Sequence, residues 1–369
     1  MLFYLDDSLI VDVGNHEYIP ILKSVHNLAL QAVEANHLLL GDVKVILHFR
    51  DIFKNDVFVG PLFQKLASNM AICTVPSSVT FYMEIIRGAC NQRENGGVTI
   101  YQMNYTHFSS LDASGKTMVI GEDLNDVVIF EHILKWFINR THSNLHYCLH
   151  PLGGNGRNIC RVVQNELNSS HITICIVDTD KKHPNYTPAA DSTYSLCLPI
   201  GNGVPYYKFV HLNVHEIENI IPLNYIDTFD IWTNGNSMDQ HNKRAFDFLK
   251  TMANDILPYF DYKKGIHKNT DLTTNQDYFD FAEKCFIANQ DKTTAYADFT
   301  TYLSSIGDNG IVYEQLLGGS GILTRTVALI SSSACPTTPV LESFQEIEWN
   351  TIGQNMLNWC IARNNEGLN

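Results

Sequence analysis

The sequence has no Cys-x-x-Cys pair, no His-Glu-x-x-His, no Gly-x-x-x-x-Gly-Lys-Ser/Thr loop and no run near the ~18 apolar residues of a membrane span. Each absence removes a class of function. Nine scattered cysteines, an odd number without paired spacing, argue against a disulfide framework or a Cys-rich zinc site and suit a reducing cytoplasm. The histidines lack the metalloprotease pattern, which argues against zinc chemistry. SLDASGKTMV contains Gly-Lys-Thr but not the upstream glycine, so no ATP-hydrolysing phosphate loop is expected. The opening MLFYLDDSLIV lacks a basic leader, so neither secretion nor membrane insertion is expected.

Positive charge is also scarce. Against 39 Asp and Glu stand 25 Lys and Arg, a formal net charge of −14. A free-standing nucleic-acid binder carries a basic footprint. A nucleic-acid substrate would therefore need local contacts here, or a partner that supplies the positive surface.

What is present is an ordinary globular composition, 45% apolar and 17% charged over 369 residues, enough for roughly two or three domains. Pattern separates three regions. Residues 1–112 mix the strand-like runs LFYL, VKVILHF and VTIYQM with a helix in IPILKSVHNLALQAVEANH, where Ile21, Leu22, Val25, Leu28 and Val33 recur at helical spacing. Residues 113–265 alternate strand and helix: TMVI, a helix from about Asn125 to Asn139, LHYCL, the Gly-rich turn HPLGGNG, a helix to about Leu167, ITICIVD, and YYKFVHLNV. That rhythm predicts βαβ units and a parallel sheet covered on both faces. Residues 266–369 read as mainly helical, with apolar stripes in DYFDFAEKCFIA and EWNTIGQNMLNWCIAR.

Sites in parallel α/β sheets form at the carboxyl ends of strands. Here three successive strand ends carry acids: Glu122 and Asp126 after TMVI, Asp178 and Asp180 after ITICIV, and Glu216 and Glu218 after FVHLNV. Spacing of i, i+2 puts two side chains on one face of an extended segment, and i, i+4 puts two on one side of a helix. An all-oxygen set without cysteine or clustered histidine suits Mg²⁺ or Mn²⁺. Such ions equip phosphoryl-transfer sites. Read separately, each pair is equally an acidic helix start or a solvated strand end.

These residues resemble a known pattern. GEDLNDVVIFEHIL resembles the first motif of Toprim domains, and DTD their Asp-x-Asp motif. HEIENIIP is similar to a segment of the OLD-like Toprim nucleases, as are the Gly-rich turn and helix LGGNGRNICRVV and the Asp-x-Lys segment YFDYKKGI. The resemblance implies an α/β chain with a Toprim core, a Rossmann-like parallel sheet at residues 113–265. An N-terminal α/β domain would flank it at 1–112 and a helical region at 266–369. It implies a Mg²⁺- or Mn²⁺-dependent nuclease acting on DNA or RNA. In it Glu122 would be metal ligand or general acid/base, Asp126, Asp178 and Asp180 ligands, and Glu216 with Glu218 the completion of the site. Lys263, with Lys264 as alternative, would stabilise the transition-state phosphate. Two positions depart from the pattern, Asp123 for the usual glycine and Ile220 for the usual tyrosine. The missing phosphate loop resembles anti-phage systems in which a homo-oligomeric Toprim effector works with a separate ATPase partner. The alternatives are a topoisomerase- or primase-like Toprim enzyme and a catalytically silent scaffold. At the N-terminus, FYLDDSLIVDVG faintly resembles PIN-like ribonucleases, with Asp6, Asp7, Asp51, Asp56 and Glu84 as the acids; otherwise this region serves docking or dimerisation.

Overall fold

The β-branched and aromatic runs of the first hundred residues build one sheet. Strands β1 (Leu2–Leu5), β2 (Leu38–Gly41), β3 (Phe81–Ile86), β4 (Asn91–Asn95) and β5 (Val98–Asn104) lie in the order β2-β1-β3-β5-β4, with helices α1 (Tyr18–Val33), α2 (Val43–Phe53) and α3 (Gly60–Ser68). All pairings are parallel except that of β4, a fully exposed edge strand antiparallel to β5. This computed structural model describes residues 1–68, 74–141, 145–229, 237–252, 254–313, 316 and 321–363.

One strand expectation fails here. VKVILHF is not a strand but the start of α2, whose buried residues Val45, Ile46, Phe49 and Phe53 recur at helical spacing. The short apolar run is ambiguous between the two periods; Arg50-Asp51-Ile52-Phe53 extends it into a complete helical stripe. Of the N-terminal acids, Asp6 accepts the Ser8 amide (2.9 Å) and Asp56 accepts those of Phe58 (2.9 Å) and Val59 (3.0 Å). Asp51 pairs with Arg50 (2.8 Å) and Glu84 with Arg93 (2.7 Å).

The second sheet follows the strand–helix rhythm. It comprises β6 (Thr117–Gly121), α4 (Leu124–Arg140), β7 (His146–Tyr147), β8 (Leu149–Gly153), α5 (Ile159–Asn168), β9 (Thr173–Val177), α6 (Thr193–Cys197) and β10 (Tyr207–His211), with β7 outside the sheet and the rest in the order β10-β9-β6-β8. β6 runs parallel to both neighbours, Met118 opposite Thr173 and Thr117 opposite Leu149. Hydrogen bonds from Thr173 N to Tyr206 O and from Leu212 N to Val177 O, both 2.9 Å, set β10 parallel to β9. Every residue of β9 is buried, as expected of a strand covered on both faces.

A second expectation also shifts. LHYCL contributes β7, paired antiparallel with Ile361–Ala362, and only the first residue of β8, Leu149, while the supposed turn HPLGG supplies the rest of β8. Proline and glycine signalled a turn, yet β8 is an edge strand, where the missing amide of Pro151 costs little. Because β8 lies on one side of β6 and β9 on the other, the connections diverge at the carboxyl end of β6, a topological switch point.

The chain divides into two compact units. One is Met1–Ile176 with Leu198–Val210 and Thr351–Asn369, and the other Val177–Cys197 with His211–Asn350. The second unit is mainly helical: α7 (Leu223–Ile226), α8 (Ser237–Leu249), α9 (Thr270–Thr274), α10 (Gln276–Ala288), α11 (Gln290–Ala295), α12 (Phe299–Ser305), α13 (Gly321–Ile330) and the start of α14 (Ser343–Cys360). Strands β11 (Ile266–His267) and β12 (Ile311–Tyr313) pair antiparallel. Its core is aromatic, with Phe260, Tyr262 and Phe299 fully buried and Phe248 stacked on Tyr313 at 5.2 Å. Among the described residues, no helix is long and apolar enough to cross a membrane.

The first unit carries a built-in pH dependence. His37 is fully buried and its Nε2 donates to the Gly115 carbonyl at 2.7 Å. Burial holds its pKa well below the ordinary 6.5. The native ring stays neutral while the unfolded ring takes up a proton, so stability present above pH 6.5 is lost as pH falls toward the depressed native value, at about 1.4 kcal/mol per unit. Urea unfolding at pH 7, 6 and 5 should show a steeper decline in the wild type than in His37→Gln. Equal slopes would contradict a neutral buried ring.

Candidate functional site

The second unit gathers ionisable side chains from three chain segments. Thr179, between Asp178 and Asp180, is buried and donates its Oγ1 to Val214 O (2.8 Å). This clips the DTD segment beside the chain leaving β10. Asp180 adopts a left-handed backbone conformation, φ 52°, which aspartate tolerates better than most residues. The next turn places His215 Nδ1 3.1 Å from Lys181 O, and the His215 amide donates to Pro258 O (2.7 Å).

Glu216 then caps a single helical turn, Ile217–Ile220, in a reciprocal box with Asn219. The buried Asn219 amide nitrogen donates to Leu257 O (2.8 Å) and Phe260 O (2.9 Å), which brings the DYKK segment against HEIEN. On the far side of this turn, Gln345 donates to Asn219 O and Ile221 O (both 3.0 Å), and Trp349 Nε1 to Ile220 O (2.8 Å).

Three contacts result. His215 Nε2 lies 3.3 Å from Asp261 Oδ2. Lys263 Nζ lies 3.0 Å from Glu216 Oε2 and 3.3 Å from Glu218 Oε1. Asp261 also accepts the backbone amides of Lys263 (2.9 Å) and Lys264 (2.7 Å), which fixes the turn that aims Lys263 at the glutamates. Lys264 is exposed, so of the two candidate lysines it is Lys263 that meets the carboxylates.

The charge states follow. Burial works against the His215 imidazolium, but the Asp261 bond and the charges of Glu216, Asp261 and Asp180 outweigh it and raise its pKa. Burial likewise favours neutral Asp261, yet the bond and charge of His215 and the Lys264 amide keep its pKa low. Burial, with the charge of Glu216, pushes Glu218 up to about 7 against the pull of Lys263. Desolvation opposes the Lys263 ammonium, and the two glutamates more than restore it. One ammonium thus serves two carboxyl groups, and burial raises the pKa of Glu218. Its Oε2 is buried without a hydrogen-bond partner among the described residues.

Ligand atoms of His215, Glu216 and Asp261 all lie within 4.8 Å of one another, a spacing that admits a metal ion. The donors are one imidazole and two carboxylates rather than the all-oxygen set expected, which favours Mn²⁺ over Mg²⁺. His215 and Asp261 lie within HEIENIIP and YFDYKKGI, yet the resemblance assigns neither a ligand role. Their pairing depends on closure of a long loop, which neither motif announces. His146 and His150, and His211 and His215, are each four residues apart, but neither pair lies on a helix.

Glu122 and Asp126 belong to the first unit. The i, i+4 expectation for them does not hold, because Glu122 precedes the helix. Asp123 is the N-cap of α4, accepting the Asn125 amide (2.9 Å), and Asp126 closes a capping box on the Asp123 amide (2.8 Å). The departure from the Toprim glycine at Asp123 thus has a local role. Gly121 fits because a Cβ there would come within 2.9 Å of Asp126 Cβ. Asp178 is half-buried directly after β9. No protein-family model, curated protein or solved structure matches the chain, so any functional reading rests on this geometry and on the motif resemblance.

Proposed function

We propose that the chain is a divalent-cation-dependent nuclease that cleaves phosphodiester bonds in DNA or RNA, acting as an anti-phage effector with a separate ATPase partner. The observation that carries the reading is the cluster of the second unit, where His215, Glu216 and Asp261 converge and Lys263 sits against Glu216 and Glu218. The motif resemblance supports it, including the assignment of Glu122, Asp126, Asp178 and Asp180 as ligands.

A bound divalent cation polarises a phosphate oxygen and makes water a nucleophile near neutral pH. The chain's own residues do the rest. His215, Glu216 and Asp261 would hold the ion. Lys263 offers its ammonium to the developing charge on the phosphate. Asn219, Gln345 and Trp349 keep the helical turn from moving.

The test incubates the purified chain with plasmid, single-stranded DNA and total tRNA in Mg²⁺, Mn²⁺ or EDTA. Cleavage is expected only with a divalent cation, and Glu216→Gln or Glu122→Ala should lower it about 10²-fold or more. Mn²⁺ binding followed by electron paramagnetic resonance is read alongside. A wild type that neither binds Mn²⁺ nor cuts removes the reading. A second reading rests on Lys263 itself: its ammonium already compensates two buried carboxylates, as a structural network in a silent scaffold would require. Under that reading Glu216→Gln lowers stability while cation binding is absent throughout.

A further inference from the structure

The first unit contains a cleft of about 580 Å³, framed by the start of β3, strands β4 and β5, the loop Leu198–Pro205 with β10, and the end of α14. None of its lining residues belongs to the cation cluster. Its volume falls in the range of small-molecule and cofactor sites. Its chemistry differs from that of the chain: among the described residues no aspartate or glutamate lines it, although acids outnumber bases 39 to 25 overall. Glu94, outside the lining, accepts a hydrogen bond from the lining Thr99 (2.6 Å). Among the described residues, Lys208 is its one charged lining residue.

The walls offer ring faces and amides. Phe81 stacks on Trp359, centroids 5.2 Å apart at 10°, and makes a rigid aromatic ledge. Asn358 fixes that ledge by accepting the Thr80 amide (3.0 Å) and donating to Thr80 Oγ1 (2.9 Å). Tyr101 adds a second, half-buried ring, and Gln92, Asn202 and Asn355 line the cleft with amide groups. The rim is built closely: Gly201, at φ +69°, lies so near Tyr207 that a Cβ would overlap the ring. Leu198 on the same rim is 49% exposed, so the described chain does not cover the opening.

Stacking surfaces tolerate any base, amides hydrogen-bond base edges, and a carboxylate-free lining with one lysine accepts a phosphate without repulsion. We propose that this cleft binds a nucleotide unit, with the base against the Phe81–Tyr101 wall and the phosphate toward Lys208. The unit is supplied either as a free nucleotide or as one residue of a single strand. The site does not depend on the cation cluster.

The test titrates the full chain, in EDTA, with AMP, GMP, CMP and UMP, with ten-residue dT and rU oligonucleotides, and with inorganic phosphate. Binding is followed by calorimetry and by tryptophan fluorescence. Nucleotide binding should weaken at least tenfold in Lys208→Glu and in Tyr101→Leu, and be absent for phosphate alone. Oligonucleotides binding tenfold or more tighter than mononucleotides assign the site to a strand; equal affinities assign it to the free nucleotide. Failure of the wild type to bind any nucleotide or oligonucleotide overturns the proposal, as does binding that both variants leave intact. Thermal melts of both variants confirm folding, and Lys208→Glu, on the cleft surface, keeps the test valid should Tyr101→Leu unfold.

Discussion

Lys263→Met is expected to lower stability by about 3–5 kcal/mol in EDTA, the cost of removing one partner from a buried ion pair. Glu216 and Glu218 side chains are 9% and 1% exposed. Without the ammonium the pair is left with little solvent to compensate its charge, whether or not Glu218 takes up a proton. The unfolded chain pays no such penalty, so the effect appears as a lower urea midpoint. A divalent cation can replace the lost charge. Mn²⁺ at a hundred times its dissociation constant should return about 2.7 kcal/mol through binding to the native state alone. In the proposed nuclease the same change removes the group facing the phosphate, so cleavage falls about 10²-fold or more even where Mn²⁺ restores the fold. Melts and cleavage assays of wild type, Lys263→Met and Lys263→Arg in EDTA and in Mn²⁺ separate the two effects. A stability loss that Mn²⁺ does not touch would identify the network as structural and sink the catalytic role.

Asn219→Ala is expected to cost about 3–5 kcal/mol, and it tests what assembles the cluster. The side chain is fully buried and makes three hydrogen bonds, donating to Leu257 O and Phe260 O and accepting from the Glu216 amide. Truncation strands two carbonyls and one amide, each worth about 1–3 kcal/mol when left unpaired in the interior. The geometric consequence is specific: those bonds hold Asp261 and Lys263 against His215, Glu216 and Glu218. Asn219→Asp should be no better, since a carboxylate would face two carbonyl oxygens. The urea midpoint gives the energy. A loss below about 1 kcal/mol would show that the two segments are held together by other contacts.

Much of the architecture was legible from apolar runs. TMVI, ITICIV and the middle of YYKFVHLNV are strands because each is too apolar to leave a buried sheet, and Asn125–Asn139 is helix because its apolar residues share one face. VKVILHF was misread because its run is too short to distinguish the two periods. HPLGG was misread because an edge position excuses a proline that a central strand would not. At the site, Glu216, Glu218 and Lys263 were legible as motif residues and do come together. Asp126 was legible as an acid but not as a capping residue, since that role depends on where the helix begins.

By itself, the sequence determined most of the strands and helices and where carboxylates cluster along the chain, because those properties follow from local periodicity and composition. The tertiary structure alone decided that Asp261 meets His215 and that one lysine serves two glutamates. It also decided that burial raises the pKa of one of those glutamates. Such pairings and charge states depend on burial and on distances between residues far apart in the chain, which no local pattern encodes.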